Sequence, residues 1–255
     1  SVNGTPADCV KLALNAIVSR SGAQIEKLHL ELPTSTIESK RIAATYRMNG
    51  DAPDMQSLRF EGTLNASRIT PHDIACFVPQ LRGFDMPLAL SIGFNGTGNS
   101  LNVSHLDIEN IDRSLVLNAK AHALRNAQTT WHAEVSRLFA SNETIGSVYK
   151  TITSNELPDI VNRLGDVSLT AKADGTDADG SLNTQLNCAT GSIKLTAAKK
   201  QKAMRAHVET HKFELGKLLN SDKAGIVSLS LDAQGSSKDN IGVSGSIYDI
   251  SFNNY

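Results

Sequence analysis

Seven histidines, three cysteines, one aspartate-rich turn and one lysine run are the parts of this 255-residue chain whose side chains could do chemistry. His207 and His211 are the only histidines four apart, yet Ala206, Val208 and Thr210 alternate with their neighbours as in a strand. They would share a face without a helix, and a metal site needs a third ligand and a supporting shell. Solvated strand histidines are therefore expected, and no metal. Cys9, Cys76 and Cys188 are odd in number and far apart, which fits neither a zinc knuckle nor a disulfide framework. Cys76 and Cys188 read as buried thiols among apolar neighbours, a Cys76–Cys188 bridge being the alternative in an oxidising compartment. The run from Asp174 to Gly180 places acids at its first, fourth and sixth positions. A calcium loop wants acids at its first, third and fifth, with glycine at the sixth and glutamate at the twelfth. Here the sixth is Asp179 and the twelfth Gln185, so a polar hairpin turn is the better reading. Lys199-Lys200-Gln201-Lys202 reads as a solvated turn, with contact to a phospholipid headgroup as the sharper alternative.

No phosphate-cradling glycine loop, no nucleophile elbow and no close carboxylate pair is present, which points away from an enzyme and from a cofactor. Lys plus Arg number 25 against 26 Asp plus Glu. That balance argues against nucleic acid, which needs a clustered basic surface. The longest apolar runs, such as Ile74 to Val78, are far short of the roughly 20 residues of a spanning helix. With neither an initiator Met nor a signal-peptide pattern, the chain reads as a fragment.

The elements that must position these residues are mostly strands. Residues 5–18 are expected to form a helix. Thr5 can cap it, Pro6 suits its first position, and Val10, Ala13, Leu14 and Ile17 make one apolar stripe. From about Gln24 the period becomes two. Leu28, Leu30 and Leu32 alternate with Lys27, His29 and Glu31, and Leu58, Phe60, Gly62 and Leu64 with Arg59, Glu61 and Thr63. The same alternation recurs at Leu115–Ala121, Trp131–Val135, Val167–Ala173, Leu182–Leu186, Ile193–Ala197, Val227–Ala233 and Ile241–Ile247. Asn49-Gly50, Asn95-Gly96, Asp174-Gly175 and Asp179-Gly180 are expected in turns. Short helices are expected at Pro71–Val78, Glu143–Ile152, Leu157–Leu164 and Leu215–Leu219, and Trp131 is expected to anchor the apolar face of its strand.

A repeat emerges from this order: a strand, a helical dip, then a strand ending at a glycine. Its copies end at Gly96, Gly175 and Gly235, and their dips differ in length. The fold class is thus mostly β, an elongated, curled antiparallel repeat sheet with short helices and one N-terminal helix. A sheet with one apolar face must bury it, yet the few aromatics and short helices offer little cover. A trough whose apolar face takes acyl chains would resolve the mismatch, and apolar burial is worth roughly 25 cal/mol per Å². Leu88, Leu90, Ile92, Phe94, Val167, Leu169, Val227, Leu229 and Leu231 are the lining candidates; the alternative is that they form an ordinary closed core.

Two resemblances extend this reading. The segment from Gly4 to Leu14, Gly-Thr-Pro-Ala-Asp-Cys-Val-Lys-Leu-Ala-Leu, resembles the SurE 5′-nucleotidase family. The family's Asp-Asp pair and Asn-His-Gly segment have no counterpart, so no metal-dependent nucleotidase site is carried over, and residues 1–22 are read as a separate helical segment from a fused or misassembled N-terminus. Residues 23–255 form the β-repeat region, and from about Gln24 they resemble TamB/AsmA-like envelope proteins of the Bacteroidota branch. Ser57 to Leu64, Ile74 to Pro79, Thr130 to Val135, Arg205 to Thr210 and Tyr248 to Tyr255 carry the likeness. The resemblance implies a periplasm-spanning envelope protein, anchored in the inner membrane, with phospholipid acyl chains and an outer-membrane assembly protein of the BamA/TamA type as partners. It implies a part in phospholipid transport, outer-membrane biogenesis and protein secretion. Strand addition at an open sheet edge is the alternative function, and a SurE-like nucleotidase remnant the third.

Overall fold

Residues 11–75, 79–237 and 240–252 are described by the structure, a computed structural model. Two compact units divide the chain, residues 1–127 and 128–255. The first holds β1 (Lys11–Ser19), β2 (Gly22–Glu31), β3 (Thr36–Asn49), β4 (Ala52–Ile69), β5 (Leu88–Thr97), β6 (Ser100–Asn110) and β7 (Leu115–Arg125). Each strand pairs antiparallel with the next. The second holds β8 (Thr129–Ala140), β9 (Val167–Thr176), β10 (Gly180–Cys188), β11 (Gly191–Lys200), β12 (Ala203–Glu214), β13 (Ala224–Ser237) and β14 (Asn240–Phe252), paired in the same manner. Three short helices, α1 (Asn142–Thr153), α2 (Asp159–Asn162) and α3 (Leu215–Leu219), interrupt the second unit. The expected mostly β, antiparallel fold is therefore what the chain adopts.

The N-terminal helix is not. Residues 11–19 form β1, whose Leu12, Leu14, Ala16 and Val18 stand opposite Leu30, Leu28, Ile25 and Ala23. The helical stripe and the strand alternation coexist in this sequence, and pairing decides between them. An isolated helix this short is marginal in water, whereas the strand gains a full ladder and suits β-branched Ile17 and Val18. The two-residue turn Arg20-Ser21 joins β1 to β2, so residues on both sides of position 22 belong to one hairpin. Thr5, Pro6 and Cys9 lie outside the described residues, as do Cys76, Phe77 and Val78.

Elsewhere the dips of the second unit are close to expectation, and in the first unit residues 76–78 of the expected dip lie outside the described residues. The Pro71–Val78 segment gives a 3-10 turn at Pro71–Ile74, followed by another at Pro79–Leu81. Asp73 fastens this dip: its carboxylate accepts the Thr34 N–H and the Thr34 and Ser35 hydroxyls at 3.0, 2.9 and 2.6 Å. Helix α1 forms where Ser141 caps it by accepting the Thr144 N–H, and Ser154 ends it at φ 57°. Only Asp159–Asn162 of the Leu157–Leu164 segment is helical, after Pro158, and α3 covers Leu215–Leu219 as expected.

The repeat is real, and its signature is register. In each copy the first strand carries one extra residue before the dip: Ala66 and Ile69 face Leu90 and Leu88, Val135 and Leu138 face Ala171 and Leu169, and Thr210 and Phe213 face Leu229 and Val227. This is a β-bulge at one place in three copies. Exposed Arg68, Arg137 and Lys212 occupy equivalent positions in it.

The glycines ending each copy need correction, because Gly96, Gly175 and Gly235 lie within strands rather than in turns. They stand opposite Phe60, Trp131 and Met204. A Cβ at Gly175 would come within 2.4 Å of the Trp131 ring, and one at Gly96 within 2.5 Å of Phe60 and 2.2 Å of the Ser100 carbonyl. These glycines make room for a large cross-strand side chain to lie flat. Asn49-Gly50 does turn, with Gly50 at φ 64°.

Little of the chain forms a closed core. The buried side chains of the first unit, among them Ser35, Ala66, Ile69, Thr70, Ala75 and Val116, gather at its dip end. Those of the second, Thr144, Thr190, Thr210, Phe213, Val227 and Ser228, gather at its helix end. There Ala189 N–H donates to Leu164, Glu214 N–H to Thr190, and the Arg163 guanidinium to the Leu218 carbonyl.

Gly96→Ala should destabilise the chain by about 1–3 kcal/mol, because its Cβ meets backbone that cannot yield. Gly146→Ala, in the interior of α1 with nothing near its Cβ, should add about 0.5–1 kcal/mol. Urea unfolding of both variants checks the pair; equal effects would show that in-strand glycine spacing carries no constraint.

Candidate functional site

Because directly paired residues point to the same face, the ladders can be followed across each unit as rows. In the first unit one row runs Leu12, Leu30, Ile37, Ala66, Leu90, Ile108, Leu117, apolar in all seven strands. A parallel row places Gly62 opposite Phe94, and Phe94 lies over that glycine with its ring centroid 6.4 Å from that of Phe60. In the second unit Leu138, Leu169, Leu186, Ile193, Thr210, Leu229 and Ile247 form one row. The next runs Val135, Ala171, Thr184, Leu195, Val208, Leu231, Gly245, and the one after it Ala133, Ala173, Leu182, Ala197, Ala206, Ala233, Val243.

All nine candidate lining residues stand on these apolar faces. Leu88, Leu90, Ile92 and Phe94 are half-buried on β5, and Val167 and Leu169 on β9. Along β13 they grade from core to surface: Val227 is buried opposite Phe213, Leu229 is half-buried and Leu231 is exposed. Only six apolar side chains are fully buried among the described residues, so neither apolar face is sealed by a second layer of side chains.

An apolar groove of the second unit lies elsewhere on that face. It has a volume of about 640 Å³ and runs along the turn-side end, away from the helices. Its floor is the alanine row, with Leu182, and its walls include Trp131, Met204 and Ile241. The physical cause is a difference in side-chain height: Ala and Gly make a low strip between taller rows. Seven strands spaced about 4.8 Å apart give that strip a length of about 29 Å. None of the nine candidates lines it. Alanine-rich rows carry little hydrophobic signal along the chain and become a groove only when strands align them. The one available clue was Trp131, correctly expected on the apolar face; it and Met204 sit opposite glycines.

The opposite face is polar, and several of its charges pair across strands. His29 faces Glu38, His132 faces Asp174 and His207 faces Asp232, with nitrogen–oxygen distances of 3.0, 2.6 and 2.8 Å. His207 thus has a carboxylate partner, and His211 stands opposite Ser192. Among the described residues no group of three or more His, Cys, Asp or Glu could hold a metal ion. The Cys188 thiol sits 3.1 Å from the Thr190 hydroxyl and 3.3 Å from the Gly191 carbonyl. Asp177 and Asp179 act as turn acceptors for the Thr129 and Gln201 N–H groups. No helix among the described residues is long and apolar enough to cross a membrane.

No family model, curated protein or solved structure matches this chain. The faces themselves must therefore carry the functional reading.

His29 also bonds Glu31 at 2.7 Å. That bond, with the Glu38 bond second, raises the His29 pKa above its ordinary 6.5, and the same contact lowers Glu31 below 4.5. The histidine's contribution to stability is complete below its unfolded value and is lost as pH rises through the folded one. The glutamate's is present above its unfolded value and is lost as pH falls through the folded one. The β2–β3 pairing should gain most between those ordinary values, 4.5 and 6.5. In an NMR titration, Glu31→Gln should bring the His29 midpoint back toward its ordinary value. An unchanged midpoint would refute the assigned cause.

Proposed function

We propose that this chain is a non-enzymatic β-repeat segment of a TamB/AsmA-like envelope protein, working in the periplasm as a conduit for phospholipid acyl chains. The observation that carries this reading is the apolar face of each unit, left open beyond a small core at one end. An apolar strip too wide for water to solvate cheaply favours any ligand that removes it from water, at roughly 25 cal/mol per Å². A groove of about 640 Å³ falls within the roughly 300–1,000 Å³ typical of ligand sites. Rows crossing the strands give a tail a continuous path with no side-chain charge except at the turn end. Inner-membrane anchoring and a role with a BamA/TamA-type protein in outer-membrane assembly belong to the same proposal and rest on the resemblance.

A second reading is favoured by one observation. β14 pairs only with β13 among the described residues, and Ile241, Val243, Ile247 and Ile250 on it are at least half exposed. An open edge of this kind accepts an added strand. Amide exchange distinguishes the readings: added protection on β14 when an outer-membrane assembly protein is supplied would favour strand addition.

Native mass spectrometry of the full chain purified from a bacterial host tests the conduit directly. Phospholipid should co-purify at near-stoichiometric amounts. Leu182→Asp should remove it while the strand signature in circular dichroism persists, because that side chain faces an open groove. Phe213→Ala, in the core, should instead cost about 3–5 kcal/mol and leave the lipid content of the folded fraction unchanged. A well-folded, lipid-free protein would overturn the proposal.

A further inference from the structure

The turn at the mouth of the second unit's groove carries more positive charge than a solvated turn requires. Between β11 and β12, Gln201 sits at φ 53° and donates its N–H to Asp179 at 2.9 Å, which fixes the tip against the neighbouring β9–β10 turn. Lys199, Lys200, Lys202 and Arg205 fall within this tip, all exposed. Some cations elsewhere in these sheets pair with carboxylates, as Lys172 does with Glu134 and Arg41 with Glu61, and others, such as Lys27, Lys40 and Lys194, stand singly on their strands. Among the described residues none of the four tip cations is in an ion pair. The nearby acids are engaged: Asp179 with Gln201, Asp177 with the Thr129 N–H, and Asp174 with His132.

Their placement relative to the groove is the second observation. Lys199 stands opposite Met204 on the apolar face, a cation within an otherwise apolar or glycine row. Lys199 lines the groove together with Trp131, Met204 and Ile241, whereas Arg205, paired with Ala198 and Gln234, stands beside it in the His132–Asp174 row of the opposite face. Long cationic side chains lay their methylene stems along apolar surface and hold their heads in water. Such a site suits a molecule with an apolar tail and an anionic end, whose phosphodiester the clustered positive charge at the tip would attract.

We propose that this tip binds the anionic headgroup of a membrane phospholipid whose acyl chain lies in the adjoining groove, so that the site prefers anionic over zwitterionic lipid. The proposal rests on the conduit reading above and adds the lipid class to it.

Trp131 is the chain's only tryptophan and it lines the groove, so its fluorescence reports occupancy. The experiment titrates the full chain with short-chain phosphatidylglycerol and with phosphatidylcholine, each brominated on the acyl chains. Both should quench Trp131, with phosphatidylglycerol half-saturating at a concentration at least about tenfold lower, as expected for several cations beside one anionic group at low salt. In the variant Lys199→Gln, Lys200→Gln, Lys202→Gln, Arg205→Gln that preference should shrink to within about twofold, with the phosphatidylcholine titration unchanged. All four positions are exposed, and circular dichroism confirms that the variant folds. Equal affinity for the two lipids, or a preference that survives in the variant, overturns the headgroup assignment and leaves the groove intact. Absence of quenching by either lipid overturns the groove reading itself.

Discussion

Antiparallel register holds apolar residues opposite apolar residues through successive strands, and a one-residue slip in any ladder would turn a whole strand's side chains to the other face. In the first unit, Leu12, Leu30, Ile37, Ala66, Leu90, Ile108 and Leu117 make one row only because each pairing is kept. The His–carboxylate pairs on the opposite face depend on the same ladders. The in-strand glycines do as well, since each must meet its aromatic or methionine partner. Packing of side chains into a sealed interior contributes at one end of each unit; elsewhere main-chain pairing and cross-strand contact hold the sheet.

The dips and bulges follow from this constraint. A strand pair that turns through a short helix must leave the ladder and rejoin it in phase. The single extra residue before each dip allows the backbone to bend there while rows on both sides stay aligned. The dips differ in length, from two 3-10 turns to α1 with α2, because nothing beyond the bulge has to match. Thr144, Phe213 and Val227 are buried at that end, where α3 packs on β13, so the core is local and the rest of the apolar face is not sealed.

An unsealed apolar face leaves apolar side chains exposed, and its unequal row heights give it relief. In the second unit the alanine row with Leu182 forms a groove, Trp131, Met204 and Ile241 are among its walls, and charge enters the apolar face at Lys199. On the opposite face several charges pair across strands, as His29 does with Glu38, His132 with Asp174 and His207 with Asp232.

Alternation of period two from Gln24 onward determined most of the strands, their apolar face and the repeat, because side chains alternate strictly in a β-strand and such a pattern is readable without neighbours. The strands β3 and β6, whose alternation is interrupted, were not among the runs it marks. All four expected dips also contain α-helix or 3-10 turn, and Leu215–Leu219 matches throughout. Other features were settled by the tertiary structure. Residues 11–19 satisfy both a helical stripe and a strand alternation, and the ladder with β2 chose the strand. Gly96 and Gly175 follow Asn and Asp as turn glycines do, but a large side chain across the strand made them part of the sheet. The groove was illegible for the same reason: Ala133, Ala173, Leu182, Ala197, Ala206 and Ala233 are scattered over a hundred residues. Only hydrogen-bonded register sets them side by side.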